Sequence, residues 1–139
     1  MYAVTFVSGS FGTEREREHA NEVLQIMLDA LYKVNCSYLR RFPETASLYA
    51  SGVRYRKEAP GKEEWQDIPT VLKQGFGDCE DLACFRAAEL TVREGVPAVP
   101  SLKWQRIPSK NMVLYHILVE RADGSIEDPS KQLGMGGEY

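Results

Sequence analysis

The sequence predicts an α+β domain in which helices come first and an antiparallel meander of strands follows. Apolar residues recur at helical spacing over 14–34 and again over 79–90, as expected for helices that bury one face. The stretches 98–107 and 112–121 are instead extended and apolar, and an Asp-Gly pair at 123–124 indicates a hairpin after them. Helices followed by consecutive strands are typical of the α+β class.

The first helix is predicted to begin at a capping box made by Thr13 and Glu16, after an opening strand or arm, "YAVTFV". The helical pattern breaks at Cys36, and Pro43 forbids a continuous helix. We therefore expect one amphipathic helix whose buried stripe is formed by Ala20, Val23, Leu24, Met27, Leu31 and Val34.

The middle of the chain is predicted to be mostly irregular. "GVRYRKE" alternates apolar and basic residues, which indicates a half-exposed extended segment, and "APGKEEWQDIP" is predicted as a loop. A short helix is expected to begin at Pro69, with Asp67 or Ile68 before it, and to end at Gly75.

The second long helix is predicted to begin at a cysteine. Asp78 suits the N-cap, and Asp81 three residues later imitates the acid of a capping box. Gly95 and Pro97 end the helix. The thiol should lie on the helix's buried stripe, which is formed by Cys79, Leu82, Ala83, Ala87 and Leu90.

Composition limits the kinds of partner. The chain has 139 residues, enough for the single domain we expect over 1–139, and its net charge of -3 with scattered basic residues predicts no nucleic-acid binding. No run approaches the ~18 apolar residues of a membrane span, and the N-terminus lacks a secretion signal. An odd count of three cysteines indicates free thiols. We expect a cytoplasmic protein, or one packed into a larger particle.

Cys79 stands between the carboxyl groups of Asp78 and Glu80, and like charges nearby raise a thiol pKa. These acids can cap backbone N–H groups or favour the positive end of the helix dipole, and they need not face the sulfur. The helix start and an imidazole would then lower the pKa of Cys79. That imidazole would come from His116 in the apolar strand, unless His116 is only a core histidine.

The hairpin decides whether an acid can reach this histidine. A three-residue turn over 122–124, with Gly124 left-handed, places Asp128 opposite Leu118 and on the same face as His116. A two-residue turn would shift the register by one and put the two side chains on opposite faces.

These residues predict a Cys–His–Asp site. Cys79 would be the nucleophile and His116 the base and later the acid, while Asp128 would fix the imidazole tautomer. The backbone N–H of Cys79 is one candidate oxyanion donor. Gln74 and Trp65 could support it, or they could be a loop residue and a core anchor.

The segment "WQDIPTVLKQGFGDCEDLACFRAAEL" resembles the nucleophile region of transglutaminase-like cysteine peptidases, especially their bacterial branch. "YHILVERADGSIEDPS" is similar to the family's histidine and aspartate strands. The resemblance covers about 65–130. It implies a papain-like core, with helices packed on a small antiparallel sheet and Cys79, His116 and Asp128 as catalytic residues.

No metal or other cofactor is predicted. The resemblance implies calcium in some family members, which here would bind Asp78 and Glu80, but helix capping already explains these acids and no further acid cluster is evident nearby. Cys79 and Cys84 would face different sides of a helix, so zinc is not expected either.

Two functions from different classes follow. The first is acyl transfer through a Cys79 thioester, with hydrolysis of protein or peptide amide bonds favoured over deamidation or transglutamination. The alternative is a non-catalytic structural or assembly module, such as a phage virion component, that retains the fold. Phage genomes encode small proteins that look similar, and such a protein would be virion-associated.

Overall fold

The structure of the protein, a computed structural model, describes residues 3–6, 14–58, 63–107 and 112–136. It mixes helix and sheet, so the predicted α+β class is confirmed. The elements in chain order are β1 (Ala3–Phe6), α1 (Glu14–Arg41), a short 3-10 helix (Leu48–Ala50), β2 (Arg54–Tyr55), β3 (Glu63–Gln66), α2 (Ile68–Gln74), β4 (Phe76–Gly77), α3 (Cys79–Arg93), β5 (Ala98–Ile107), β6 (Met112–Arg121), β7 (Ile126–Glu127) and α4 (Pro129–Gln132).

The strands form three small sheets. The predicted meander is confirmed as the antiparallel sheet β5-β6-β7, while β2 pairs with β4 in parallel. The loop prediction was wrong at Glu63–Gln66, which pairs antiparallel with β1 in a register that joins Val4 to Trp65. A strand whose partner lies about 60 residues earlier has no local sequence signal.

Helix α1 is longer than predicted. Its buried face continues past the expected break through Asn35, Cys36 and Leu39, and the helix ends at Arg41, two residues before Pro43. Val23 was wrongly placed on the buried stripe and is 41% exposed, whereas Leu28 is fully buried. Thr13, the predicted cap, lies outside the described residues. Within the described ranges, no helix has both the length and the apolar character needed to cross a membrane.

Helix α3 lies between two buried clusters. The first joins it to α1 and to the inner face of the β5-β6 sheet through Leu24, Leu28, Leu31, Trp65, Cys79, Ala83, Cys84, Ala87, Leu90, Ala98, Ile117 and Val119. The second joins its other side to the rest of the chain through Cys36, Leu39, Leu48, Val53, Ile68, Val71, Leu82, Phe85, Ala88 and Leu133. Packing on both sides fixes the position of the residue at its start, Cys79.

Helix α2 follows its predicted signals, although it begins one residue earlier than expected, at Ile68. Asp67 caps α2 by accepting a hydrogen bond from the backbone N–H of Thr70 at 3.2 Å, and Pro69 lies in its first turn. Gly75 ends the helix with a left-handed φ of 86°, a conformation that favours glycine. The short β4 then leads directly to α3.

Substitution of Phe85 by alanine should lower the free energy of unfolding by about 3–5 kcal/mol, because this ring is fully buried at the centre of the second cluster. Urea denaturation measures the change. The control Val23→Ala, at an exposed position of α1, should change it by less than about 0.5 kcal/mol. Equal effects of the two variants would contradict the described packing of α3.

Candidate active site

The start of α3 is a complete capping box, as predicted. Asp78 Oδ1 accepts from the backbone N–H of Cys79 at 2.7 Å, and Asp81 Oδ2 accepts from the N–H of Asp78 at 3.0 Å. The other oxygen of Asp78 accepts from the N–H of Glu58 at 3.1 Å. Both aspartates are therefore used to hold backbone, which fixes the first turn of the helix.

Asp81 also ties the helix to the neighbouring strand. Its Oδ1 accepts from the backbone N–H of Gln66 at 2.7 Å. Burial raises the pKa of Asp81 well above its usual range, although the amides of Gln66 and Asp78 lower it. A Cβ at Gly77 would lie 3.1 Å from the Asp81 Cβ and 3.2 Å from Leu82 Cδ2. This close approach explains the glycine before the capping residue.

The Cys79 thiol has a different partner from the predicted one. It is 7% exposed, and its Sγ donates to Glu80 Oε2 at 3.3 Å. The interpretation that the flanking acids need not face the sulfur therefore fails for Glu80. The side chain of Glu80 is itself buried, because helical side chains lean back toward the N-terminus and α3 is covered on both sides. Its carboxylate consequently lies against the thiol.

This environment keeps the resting thiol protonated. Burial raises the pKa of Cys79 well above its usual range, and the charges of Glu80 and Asp78 raise it further. The backbone amide of Ile117 acts in the opposite direction and lowers the pKa. Cys79 packs in the same buried cluster as Ile117, so the nucleophile candidate lies near strand β6, at the residue that follows His116.

The hairpin has the register that the predicted triad requires. The N–H of Arg121 donates to the carbonyl of Ser125 at 2.9 Å, and Gly124 has a left-handed φ of 87°. Val119 then pairs with Glu127, which continues the same register to Leu118 opposite Asp128. The three-residue turn is confirmed, because the two-residue turn would have produced a different pairing.

This register brings the predicted base and acid together. His116 Nε2 lies 3.0 Å from Asp128 Oδ2, where the ring N–H donates to the carboxylate. Asp128 Oδ1 accepts from the backbone N–H of Lys131 at 3.3 Å, so the acid is also the N-cap of α4. The His116 side chain is 5% exposed. The pair is thus held within the protein and not on a mobile surface.

The sulfur and the imidazole approach β6 from two sides. Ile117 and Val119 pack in the cluster that contains Cys79, so strand alternation places His116 on the opposite face. The described pairs of β7 are with Val119 and Glu120, so its ladder ends before Ile117. The described hydrogen bond of the thiol goes to Glu80. A sulfur–imidazole contact across this strand edge stays a prediction.

The predicted oxyanion donors are engaged with other acceptors. The amide Nε2 of Gln74 donates to Gln66 Oε1 and, at 2.7 Å, to the carbonyl of Phe76. The backbone N–H of Cys79 donates to Asp78. Trp65 is 1% exposed and packs in the cluster that contains Cys79, which agrees with the core-anchor alternative. Donation to an oxyanion stays a prediction. It would require the side-chain amide of Gln74 or the backbone N–H of Cys79 to leave its present acceptor.

Several acids around Cys79 lie close enough to one another to share a metal ion. Glu58, Glu80 and Asp81 bring carboxylate oxygens within 4.8 Å of one another, so the expectation of no further acid nearby was wrong. Asp78 and Asp81 use both of their oxygens to accept backbone amides. Because Ca²⁺ takes about six to eight oxygen ligands, this donor set does not fit calcium.

Sequence reasoning missed the contribution of the segment before β3. The backbone N–H groups of Arg54 and Arg56 donate to the carbonyls of Gly75 and Gly77 at 3.1 and 2.9 Å. Burial raises the pKa of Tyr55, as do the nearby Asp78 and Cys79. The alternation of "GVRYRKE" signalled an extended segment, but no local pattern shows that it pairs with β4 beside the nucleophile.

This segment forms one wall of a cavity at the helix start. The cavity has a volume of about 160 Å³, and the Arg56 guanidinium lies 4.1 Å from the centre of the Phe76 ring at its edge. Asp78 also lines it, so the cavity reaches the residue beside Cys79. It is therefore a candidate entry for a substrate. Its polar walls are formed by Arg56, Lys57, Glu58, Gln66, Gln74 and Asp81.

Comparison of the chain with protein-family models, with curated proteins and with solved structures found no match. The resemblance to transglutaminase-like cysteine peptidases, and the papain-like core it implies, consequently stay predictions.

Replacing Glu80 by glutamine should lower the pKa of Cys79, because it removes a negative charge 3.3 Å from the sulfur. The pH–rate profile of iodoacetamide alkylation at Cys79, followed by mass spectrometry, should move to lower pH by roughly one unit, or about tenfold in rate near neutral pH. Glu94→Gln, at the exposed far end of the helix, is the control. Identical profiles for all three proteins would show that the Glu80 charge does not act on the thiol.

Proposed function

We propose that the chain is a cysteine-nucleophile acyl-transfer enzyme, most simply a peptidase-like hydrolase of protein or peptide amide bonds. The observation that carries this proposal is the His116–Asp128 pair at 3.0 Å. The pair forms in the observed hairpin register and not in one shifted by a residue. His116 is also the neighbour along β6 of Ile117, which packs in the cluster that contains Cys79. An imidazole oriented by a carboxylate is one part of the arrangement that thiol acyl transfer uses, and the helix-start Cys79 is the nucleophile that we propose it serves.

In the proposed reaction, Cys79 Sγ attacks the carbonyl carbon of an amide while His116 takes the thiol proton. Because Nε2 donates to Asp128, the accepting atom is Nδ1. The C–N bond then breaks, the proton passes from His116 to the leaving amine, and a thioester remains on Cys79. Water activated by His116 hydrolyses the thioester, which releases the acid and restores the thiol.

The resting state requires one rearrangement before this chemistry. The thiol must exchange its hydrogen bond to Glu80 for one to His116. A substrate carbonyl that enters the cavity beside Asp78 would displace the thiol toward the edge of β6. Gln74 lines the same cavity, and its amide would become an oxyanion donor by releasing the carbonyl of Phe76.

The second candidate function is a non-catalytic structural or assembly module, for instance a virion component that retained the fold. The observation that favours it is the hydrogen bond from Cys79 to Glu80, together with the raised thiol pKa. In such a module, the capping box and the buried acids would serve only to stabilise the start of α3. The protein would then act within a particle and not as a cytoplasmic hydrolase.

Acylation by p-nitrophenyl acetate separates the two functions. The enzyme should gain one acetyl group at Cys79, detected by peptide mass spectrometry. His116→Ala should slow this acylation by on the order of 100-fold, because the thiol then has no base, and Cys79→Ala should abolish it. The control Cys84→Ala removes a thiol that is fully buried on α3 and should leave the rate unchanged.

A rate at Cys79 that does not respond to His116→Ala would contradict the proposed enzyme and support the structural module. The same holds if Cys36 and Cys84 are acetylated as fast as Cys79, since all three are free and buried thiols.

A further inference from the structure

We propose that Glu127 is a positioning residue: it holds β7 in the register that presents Asp128 to His116. The catalytic consequence of this inference rests on the proposed function, but the structural consequence does not. Glu127 and Asp128 are consecutive residues, and they point to opposite faces of the sheet. When Glu127 is held on the inner face, Asp128 is therefore directed to the outer face, where His116 lies.

Strand β7 is too short to hold its own register. It has two residues, and it pairs with β6 only at Val119 and Glu120. Ile126, the residue that pairs with Glu120, is 53% exposed and therefore adds little packing. A slip of one residue would move the acid of Asp128 to the inner face, away from His116. The strand needs an anchor outside its ladder.

Glu127 supplies that anchor through three donors from three elements. Its Oε2 accepts from Arg86 Nε on α3 at 2.6 Å and from the hydroxyl of Tyr49 in the 3-10 helix. Its Oε1 accepts from Arg121 Nη2 at the end of β6. Both oxygens are thus engaged, and Glu127 is 9% exposed. Charge-assisted hydrogen bonds from several directions define the place of a carboxylate closely.

The Glu127 carboxylate is ionised, and Arg86, its main hydrogen-bond donor, is itself held in place. Burial alone would raise the pKa of Glu127, but the hydrogen bonds from Arg86 and Tyr49 and the arginine charges outweigh it and lower the pKa. Arg86 also contacts Glu94 Oε2 at 3.0 Å and lies 5.0 Å from the ring centre of Tyr49. The buried Glu89 carboxylate, 3.6 Å from Arg86 Nη1, and the Tyr49 ring hold the guanidinium before it meets β7. Glu94, by contrast, is half exposed, and its ion pair adds little.

The experiment compares Glu127→Gln with two reference variants. Glu94→Gln removes another carboxylate partner of Arg86 without touching β7 and is the matched control. Asp128→Asn removes the acid on which Glu127 is inferred to act. The readouts are the proton resonance of the His116 ring N–H bonded to Asp128, measured by NMR, and the rate of Cys79 acylation by p-nitrophenyl acetate across pH.

Glu127→Gln should weaken or abolish the His116 resonance through exchange with solvent, and it should slow acylation by on the order of 10- to 100-fold. Glu94→Gln should leave both unchanged. The double variant Glu127→Gln with Asp128→Asn should be no slower than Asp128→Asn alone, because Glu127 acts through Asp128.

A resonance and a rate like those of the unmodified protein in Glu127→Gln would overturn the inference, and so would rate losses that multiply in the double variant. If circular dichroism shows that Glu127→Gln does not fold, Tyr49→Phe removes one donor only and is expected to shift the same resonance. Failure of the proposed function is separate: acylation would then not depend on His116, while the resonance would still report whether Glu127 holds the pair.

Discussion

The register of the last hairpin is the constraint on which the account of this molecule depends. The left-handed Gly124 allows a turn of three residues, and the pairing of Val119 with Glu127 follows from it. The same register sends alternate residues of the returning chain to the two faces of the sheet. Glu127 meets the arginines on the inner face, and the next residue, Asp128, meets His116. One backbone conformation thus sets an ion-pair network and a candidate catalytic pair together.

The electrostatics at the start of α3 stabilise the fold and oppose reactivity. Asp78 and Asp81 accept four backbone amides between them and join the segment before β3, β3 itself and the helix. Acids that hold backbone in this way raise the energy of a thiolate beside them. Glu80 adds to the effect because it contacts the sulfur directly. The resting protein is therefore well ordered at Cys79 and has a protonated thiol, and any nucleophilic role requires the sulfur to move.

Local signals in the sequence predicted local structure well. The cap at Asp78, the helix end at Gly75 and the hairpin at Gly124 all have short-range physical causes, and each was confirmed. Before α2, where Asp67 and Ile68 were both open, Asp67 is the cap. The apposition of His116 and Asp128 followed from the hairpin alone. By contrast, the pairing of β1 with β3, the approach of Glu58 to Asp78 and the wrapping of β2 along β4 depend on contacts between distant parts of the chain. No periodicity or turn motif encodes such contacts.

The direction of the Glu80 side chain was predicted wrongly, with the largest consequence for the site. This direction, too, depends on contacts between distant parts of the chain. A glutamate in the first turn of an isolated helix faces water, but here packing on both sides of α3 leaves it 1% exposed and against the sulfur. The most direct test of the central claim is a crystal structure of the protein alkylated at Cys79 by iodoacetamide. If Cys79 and His116 act together as proposed, Cys79 Sγ will lie within ~4 Å of His116 Nδ1 while Nε2 keeps its hydrogen bond to Asp128. A sulfur still beside Glu80, with the imidazole on the far face of β6, would contradict it.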